Sequence, residues 1–260
     1  MDRNTKEEKI NPTISVIIPN YNDSRIERTI DKITNQSYGN FELIIVEGCI
    51  NNNNTLDIYN KYKKHISHLI HEPDKGIFDA LNKGIKIASG DLIFLIGSDD
   101  LLSDNNCFSA VIKKIEKYPS SHGVCLGCKF ITSKNKIVRE WKLNSISSSQ
   151  IKWGIMPPHF SLFLKRNIYN EVGYFDFDET YIASDTEWLL RLASKKELEI
   201  PVINDHFVCM EYGGASTGSI DYIIKSIFVI AKAAKKHSVK QWPLTPFIKL
   251  GSKLFQIKFT

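Results

Sequence analysis

Residues 76–100, GIFDALNKGIKIASGDLIFLIGSDD, decide how this chain is read. Gly76 to Gly90 reads as a helix closed by its final glycine, and DLIFLIG is a short apolar run of the kind a buried strand shows. The run stops abruptly at Ser98, Asp99 and Asp100. Two adjacent carboxylates at the end of a buried strand admit two readings. They can hold a divalent cation, or they can cap the next helix.

The same alternation extends back to the start of the chain. ISVIIPNYN (14–22) is a β-branched run ending near Pro19, and SRIERTIDKITNQS (24–37) is a helix with Ser24 as N-cap and Ile26, Ile30 and Ile33 on one face. FELIIVEG (41–48) is a strand, TLDIYNKYKKH (55–65) a helix after an Asn-rich turn, and ISHLIHEP (66–73) a third strand. Strands alternating with helices of this length imply parallel units with right-handed crossovers. Ligands in such sheets bind beyond the carboxyl ends of the strands. Polar residues gather there: Asn20-Tyr21-Asn22, Glu47, Glu72-Pro73-Asp74-Lys75 and Ser98-Asp99-Asp100. Each alone is ordinary turn chemistry. Together they mark an acidic cleft along one edge.

Beyond residue 100 the pattern changes. NCFSAVIKKIEKYP (106–119) is a helix, and GVCLGCKFITSKNKIVREWKL (123–143) a hairpin turning at Ser133 to Lys136. A Ser-rich loop (144–150) follows, then the helix SDTEWLLRLASKK (184–196) and a strand pair around LEIPVINDHFVCMEYGG (198–214). No repeat is visible, and one mixed domain is expected.

A chain of 260 residues with 42% apolar and 24% charged content can bury a sizeable core. The N-terminus has no apolar signal region, and no run approaches the roughly 18–20 apolar residues of a membrane span. A cytoplasmic protein, peripheral at the inner face of the cell membrane, is expected. Five cysteines at irregular spacing argue against a disulfide framework. Cys125 and Cys128 form C-x-x-C, but zinc needs two further ligands, so they read as buried strand thiols. The net charge of +5 is uneven: residues 221–260 hold eight lysines and one acid, hence +7, leaving −2 for the rest. Such a tail suits a polyanion or an anionic membrane surface, while the acidic body argues against nucleic acid.

SVIIPNYN (15–22), EPDKGIFDALNKGI (72–85) with ASGD (88–91) and IGSDD (96–100), SDTEWLLRL (184–192) and YGGAST (212–217), in this order, resemble the family 2 inverting glycosyltransferases. The likeness is greatest to bacterial enzymes that build capsule, O-antigen or exopolysaccharide units, and it covers about residues 13–220. It implies a GT-A-like, Rossmann-like α/β fold, with a mixed sheet mainly parallel in its N-terminal half and helices on both faces. The implied domain is 1–220, with a nucleotide-binding half (1–98), an acceptor half (99–220) and a basic helical tail (221–260).

The resemblance also implies transfer of a sugar from a nucleoside-diphosphate sugar, a UDP-sugar first, to an acceptor hydroxyl with inversion. Mn²⁺ or Mg²⁺ would offset the charge of the leaving diphosphate. Laid on the family's D-x-D triplet, Gly97-Ser98-Asp99 makes Asp99 the metal ligand, with Asp100 supporting it, and puts Ser98 among the nucleotide contacts. Gly97 stands where many relatives have Asp or Asn. Pro19, Asn20, Tyr21 and Asn22 would border the base, and Glu47 would replace the family's base-reading Asp. Asp74 would lie near base or ribose, and Lys75 would offset phosphate charge. Asp185 matches the catalytic base, kept ionised by a helix N-terminus. His159 matches a pocket histidine, and Tyr212 and Ser216 lie in the segment that closes the cleft. The implied partners are the donor and a saccharide acceptor, lipid-linked in the version that uses the tail.

Plainer readings stand beside these. Asp99, Asp100 and Asp74 can be caps, Asp185 or Ser184 an N-cap, His159 a core residue, and Glu187 a structural acid. A non-catalytic sugar-nucleotide-binding module is the chief alternative. Gly214 to Gly218 also fits the G-x-S-x-G of serine hydrolases, but only Asp221 and His237 follow it. Nucleotidyl transfer lacks the Gly-rich loop expected after the first strand. In the tail, Ile224, Ile227, Phe228 and Ala231 form a face expected to pack on the domain. Residues 244–260, with Phe247, Leu250 and Leu254, are expected to form an interfacial helix on anionic lipid.

Overall fold

Ile14–Asn20 is buried at every position and forms β1, the strand on which the nucleotide-binding half is assembled. The computed structural model describes residues 11–50, 54–132, 134, 136–177, 181–211 and 220–256. After β1 come α1 (Ile26–Thr34), β2 (Phe41–Glu47), α2 (Leu56–Lys61), β3 (His68–His71), α3 (Ile77–Ile87) and β4 (Leu92–Leu95). Next are β5 (Leu101–Leu102), α4 (Cys107–Lys117), β6 (Gly123–Ile131), β7 (Ile137–Trp141), β8 (Ser145–Ser147) and α5 (Ser148–Lys152). The chain continues through β9 (Leu162–Lys165), α6 (Arg166–Val172), α7 (Ser184–Lys195), β10 (Glu199–Glu211), α8 (Ile220–Lys236) and α9 (Thr245–Leu254).

One mixed sheet runs β3-β2-β1-β4-β9-β6-β10-β5, with β7 beside β6 and β8 beside β10. β3, β2, β1 and β4 are parallel, whereas β9 runs antiparallel to both β4 and β6. The chain winds from β1 outward to β2 and β3, then returns to β4 on the other side of β1. That reversal opens a crevice at the carboxyl ends of these strands.

Residue alternation along the strands divides the core between the two faces. Ile14, Val16 and Ile18 pack with Ile26, Ile30 and Ile33 of α1 and with Phe108 and Val111 of α4. Ile17, Ile93 and Leu95 pack with Leu81 and Ile85 of α3 and join the layer containing Trp188 and Leu189 of α7. Helices therefore cover both faces of a GT-A-like α/β sheet, as the resemblance implied. The hairpin of β6 and β7 and the buried Cys125 and Cys128 also match the sequence reading. Burial pushes the Cys125 thiol up to about 12, so it packs as an inert apolar group.

Four local readings change. Ser24 makes no side-chain cap: α1 begins one turn-position later, and the Asp23 carboxylate accepts from the Arg25 amide instead. The Ser-rich stretch is β8 followed by α5, because Ser147 and Gln150 form a capping box that starts a helix. The expected strand pair after residue 198 is a single strand, β10, with a register shift between Ile203 and Phe207. Its Asn-Asp pair marks a bulge there and not a turn. In α8 the buried positions are Ile230, Ala233 and Ala234, while Ile224 and Phe228 are 47% and 70% exposed. The apolar face expected to pack is partly open to solvent.

Candidate active site

Glu47 ends β2 and is buried, yet it is fully engaged within the chain. Its Oε1 accepts from the amides of Asn22 and Cys49, each at 3.0 Å. Its Oε2 accepts from Asn20 Nδ2 at 2.8 Å, Thr55 Oγ1 at 3.1 Å and the Tyr59 hydroxyl at 2.7 Å. Burial alone would raise its pKa, but these donors outweigh it and hold the carboxyl below its ordinary value. Glu47 is thus the keystone of the β1–β2 edge, with both oxygens already occupied. Through these contacts Glu47 also holds the Asn20 side chain and the Asn22 backbone at the end of β1. Asn22 is held at φ +53, and the side-chain oxygens of Asn20 and Asn22 are buried without a hydrogen-bond partner. Two orphaned acceptors at a strand edge suit a ligand that brings N–H donors. Tyr21 is 71% exposed beside them.

Asp74 accepts from the Gly76 amide at 2.8 Å and so caps the entry to α3. Its other oxygen lies against Gly48, where any side chain would overlap it. The carboxylate therefore leans over the end of β2, next to the Asn20–Glu47 group. Lys75 is exposed, with its ammonium 5.9 Å from the centre of the Phe177 ring.

At the end of β4 the two aspartates differ. Asp99 is half-buried and lies 3.2 Å from Arg25 Nη1, which also pairs with Glu211 at 2.7 Å. Asp100 is buried, accepts from the Gly97 amide at 3.2 Å, and is pushed up to about 8 by burial and by the neighbouring Asp99 charge. A Cβ at position 97 would fall 2.8 Å from Asp100 Oδ2 and 3.3 Å from Asp99 Oδ1. Glycine at the first position of the triplet thus lets both carboxylates fold back over the strand end. The hydroxyl of Thr29 pins this turn by donating to the carbonyls of Ser98 and Asp100. The donors are hard oxygens, and two adjacent acids without a dication repel one another. That set fits Mg²⁺ or Mn²⁺, with Asp99 and Asp100 as the residues that would hold it. Elsewhere, Asp104, Cys107 and His206 bring three potential ligand atoms within 4.8 Å. Asp104 there is committed to His206 at 2.8 Å and to the Asn106 amide at the start of α4.

The second acidic centre is Asp185, in the first turn of α7. Its Oδ1 accepts from the Thr186 amide at 2.7 Å and the Thr186 hydroxyl at 3.2 Å. Burial pushes its pKa up, but Lys249, His159 and the Thr186 hydrogen bonds bring the balance below the ordinary carboxylate value. Asp185 is ionised at neutral pH. His159 is buried against Phe175 at 5.0 Å and Trp188 at 6.1 Å, and neither ring nitrogen has a hydrogen-bond partner. Burial depresses it to about 4, against the pull of Asp185, so the imidazole is neutral. Glu187 is structural: it accepts from His237 at 2.6 Å and Arg191 at 3.1 Å, tying α7 to the end of α8. His237, which a hydrolase reading would need, is spent on that contact. Tyr212 and Ser216 lie outside the described residues, as does the rest of the G-x-S-x-G match.

Sequence reasoning missed Arg25, which pairs with Asp99, and Glu211, which pairs with the same guanidinium from the end of β10, because neither carries a local signal. It also missed the role of Lys249. Its ammonium meets the Thr186 hydroxyl, one residue from Asp185. The four-residue spacing of Lys249 and Lys253 was visible, but nothing in the sequence says which way that face turns.

Comparison with known proteins adds to this geometry. The model of the family described as "Glycosyl transferase family 2" matches residues 15–175. A PGL/p-HBAD biosynthesis glycosyltransferase of Mycobacterium bovis is 28% identical over 217 residues, 81% of each chain. Glycosyltransferase GlyG of Streptococcus pneumoniae is 26% identical over 186 residues, 62% of this chain and 59% of that one. Among solved structures, S. aureus TarS 1-349 in complex with UDP-GlcNAc superposes with a TM-score of 0.67 at 19% identity, covering 86% of this chain and 66% of that one. The mannosyltransferase PcManGT from Pyrobaculum calidifontis, in complex with GDP-Man and Mn²⁺, gives 0.59 at 15% identity, covering 95% and 76%. At these identities the structural likeness speaks for the fold.

Proposed function

The chain belongs to glycosyl transferase family 2, and from that premise we propose that it transfers a sugar from a nucleoside-diphosphate sugar, a UDP-sugar first, to a saccharide hydroxyl with inversion, in assembly of a bacterial surface polysaccharide. The observation that carries the proposal is the pair of acidic centres on one fold. Asp99 and Asp100 close β4, while Asp185, ionised beside a neutral His159, opens α7. The nucleotide lies over the β1–β2–β3 edge, where the orphaned amide oxygens of Asn20 and Asn22 accept from the base. Pro19, Tyr21 and Asp74 border it, Ser98 adjoins the diphosphate, and Lys75 offsets phosphate charge.

In this mechanism Asp185 accepts the proton of the acceptor hydroxyl as its oxygen bonds to the anomeric carbon. The bond from that carbon to the diphosphate breaks on the opposite face, and the electron pair leaves with the nucleoside diphosphate. One displacement inverts the configuration. A divalent metal held by Asp99 and Asp100 supplies charge compensation to the leaving diphosphate when bound. His159 walls the pocket and limits access of water. The bound nucleotide sugars of TarS and PcManGT, and the Mn²⁺ of the latter, support the donor class and the metal.

The Arg25–Asp99 pair favours one other reading, a sugar-nucleotide-binding module whose carboxylate faces an arginine in place of a metal. A panel of sugar nucleotides, assayed for binding and turnover with and without Mn²⁺, separates the two. Metal-dependent turnover of at least one donor is expected, and no metal response to any of them sinks the proposal. Asp185→Asn should lower transfer by about 10²–10⁴-fold and spare donor binding. Asp99→Ala should weaken the metal-dependent binding itself.

A further inference from the structure

Asp104, Cys107 and His206 meet where β10 passes the turn that joins β5 to α4. One ligand atom from each lies within 4.8 Å of the other two. Asp104 and Cys107 share that turn, Cys107 being the first residue of α4. His206 arrives from β10 through the bulge. Ile203 pairs with Leu126 and Phe207 with Gly127 of β6, so Asn204, Asp205 and His206 are extra residues on β10. Such a bulge re-aims a side chain, and His206 Nδ1 comes to 2.8 Å from Asp104 Oδ2.

Surrounding bonds hold the three side chains together. Asp104 Oδ1 accepts from the Asn106 amide at 2.8 Å, and the Ser103 hydroxyl donates to Oδ2 at 2.7 Å. The Ser103 amide donates to the Phe207 carbonyl at 2.9 Å, and the Phe207 amide donates back to Ser103 Oγ at 3.2 Å. The turn is thereby fixed against β10 beside His206. An Asp104–His206 ion pair is the simpler reading, and it leaves the sulfur unexplained. Cys107 is fully buried, yet its Sγ lies 3.5 Å from Ser103 Oγ and within reach of both the carboxylate and the imidazole.

Thiolate, imidazole and carboxylate together suit a borderline-soft dication, and Mg²⁺ and Ca²⁺ do not take sulfur. Zn²⁺ binds these ligands tetrahedrally at about 2.0–2.3 Å, which spaces the ligand atoms about 3.3–3.6 Å apart. Side-chain rotation reaches that spacing from the present one. The side chains of His206 and Asp104 are 27% and 39% exposed, so an ion has an entry path and water a fourth position. We propose that Asp104, Cys107 and His206 form a Zn²⁺ site with water as the fourth ligand. As zinc binds, Cys107 gives its proton to solvent, and the coordinating ring nitrogen carries none. The oxygen donors of Asp99 and Asp100 suit a harder ion, so the two sites take different metals. The role of the zinc is structural. β5 follows Asp100 directly and pairs with β10 through only Leu101 and Leu102, and the ion reinforces that short pairing from its far end.

The test uses Co²⁺ as a spectroscopic stand-in for Zn²⁺, titrated into the full chain in a non-chelating reductant with excess Mg²⁺. A thiolate-to-cobalt charge-transfer band reports sulfur ligation alone, so cobalt on oxygen ligands does not contribute. Wild type should develop the band to a single equivalent, and Zn²⁺ added afterwards should erase it. Cys107→Ser should lose the band, while Cys209→Ser, at the neighbouring thiol of β10, should keep it. His206→Gln changes a half-exposed side chain and should weaken cobalt binding at least about tenfold with the circular dichroism of wild type. That variant keeps the test decisive should Cys107→Ser fail to fold. No band in wild type, a band that survives Cys107→Ser, or unchanged affinity in His206→Gln overturns the site. A band that excess Zn²⁺ leaves intact overturns the choice of zinc.

Discussion

His159 shows how a single residue can be sorted between packing and function. An imidazole enclosed by Phe175 and Trp188, with both nitrogens lacking partners, costs the fold about 1–3 kcal/mol against an apolar ring of similar shape. His159→Phe should therefore be neutral or stabilising near neutral pH and yet reduce transfer. The pH dependence carries a definite sign. The folded value of about 4 lies below the unfolded 6.5, so the unfolded chain takes up a proton first as pH falls. Stability from keeping the ring neutral is full above 6.5 and is lost between 6.5 and 4. Urea denaturation at about pH 7.5 and about pH 5 should show a fall in wild type that His159→Phe lacks. A phenylalanine variant clearly weaker at the higher pH would make the imidazole a structural group.

Among the elements, α9 is the one whose role the sequence conceals. Period and β-branched runs made β1, β2, β4 and the helices between them legible, because each pattern is local and its partner is the next element. β5 and β8 were not legible: two or three residues carry no period, and they exist only through pairing with β10, about a hundred and about fifty residues away in the chain. The acids at the strand ends were legible as a group, yet the engagement of Glu47 depends on Thr55 and Tyr59 brought in by the segment that opens α2. Lys249 and Lys253 belong to the segment expected to form an interfacial helix on anionic lipid, and the docking of α9 brings Lys249 against Thr186 of α7. Gly154 controls that docking. It adopts φ +89, and a Cβ would lie 2.9 Å from the Lys249 amide as well as overlapping Thr245. Gly154→Ala should cost about 1–3 kcal/mol and free α9 locally before the sheet unfolds. Amide exchange should quicken across 245–254 and stay slow in β1 and β4. Uniform protection in both places would show that α9 is held by other contacts.

For the molecule as a whole, the lysines facing inward and the apolar residues facing outward divide the tail into two surfaces. Among the described residues, no helix is long and apolar enough to cross a membrane. Phe228 of α8, Phe247 of α9 and Phe255 just beyond it are nevertheless 70%, 58% and 93% exposed, with Lys225 and Lys240 exposed on the same segment. Aromatic rings at a lipid interface gain roughly 1.5–3 kcal/mol each when fully buried, and each lysine adds about 1 kcal/mol near an anionic surface. An enzyme whose acceptor hangs from a lipid would be held at the membrane by this face. Deleting 244–260 would confound the test, because it removes Lys249 and Lys253 along with the apolar face. Point changes avoid this: Phe228→Ser with Phe247→Ser leaves the inward lysines in place. Vesicles of phosphatidylcholine with about one quarter phosphatidylglycerol should sediment the wild-type chain, and the double variant should bind them at least about tenfold more weakly. Equal sedimentation of both proteins would defeat the membrane reading and leave the tail as a structural part of the cleft alone.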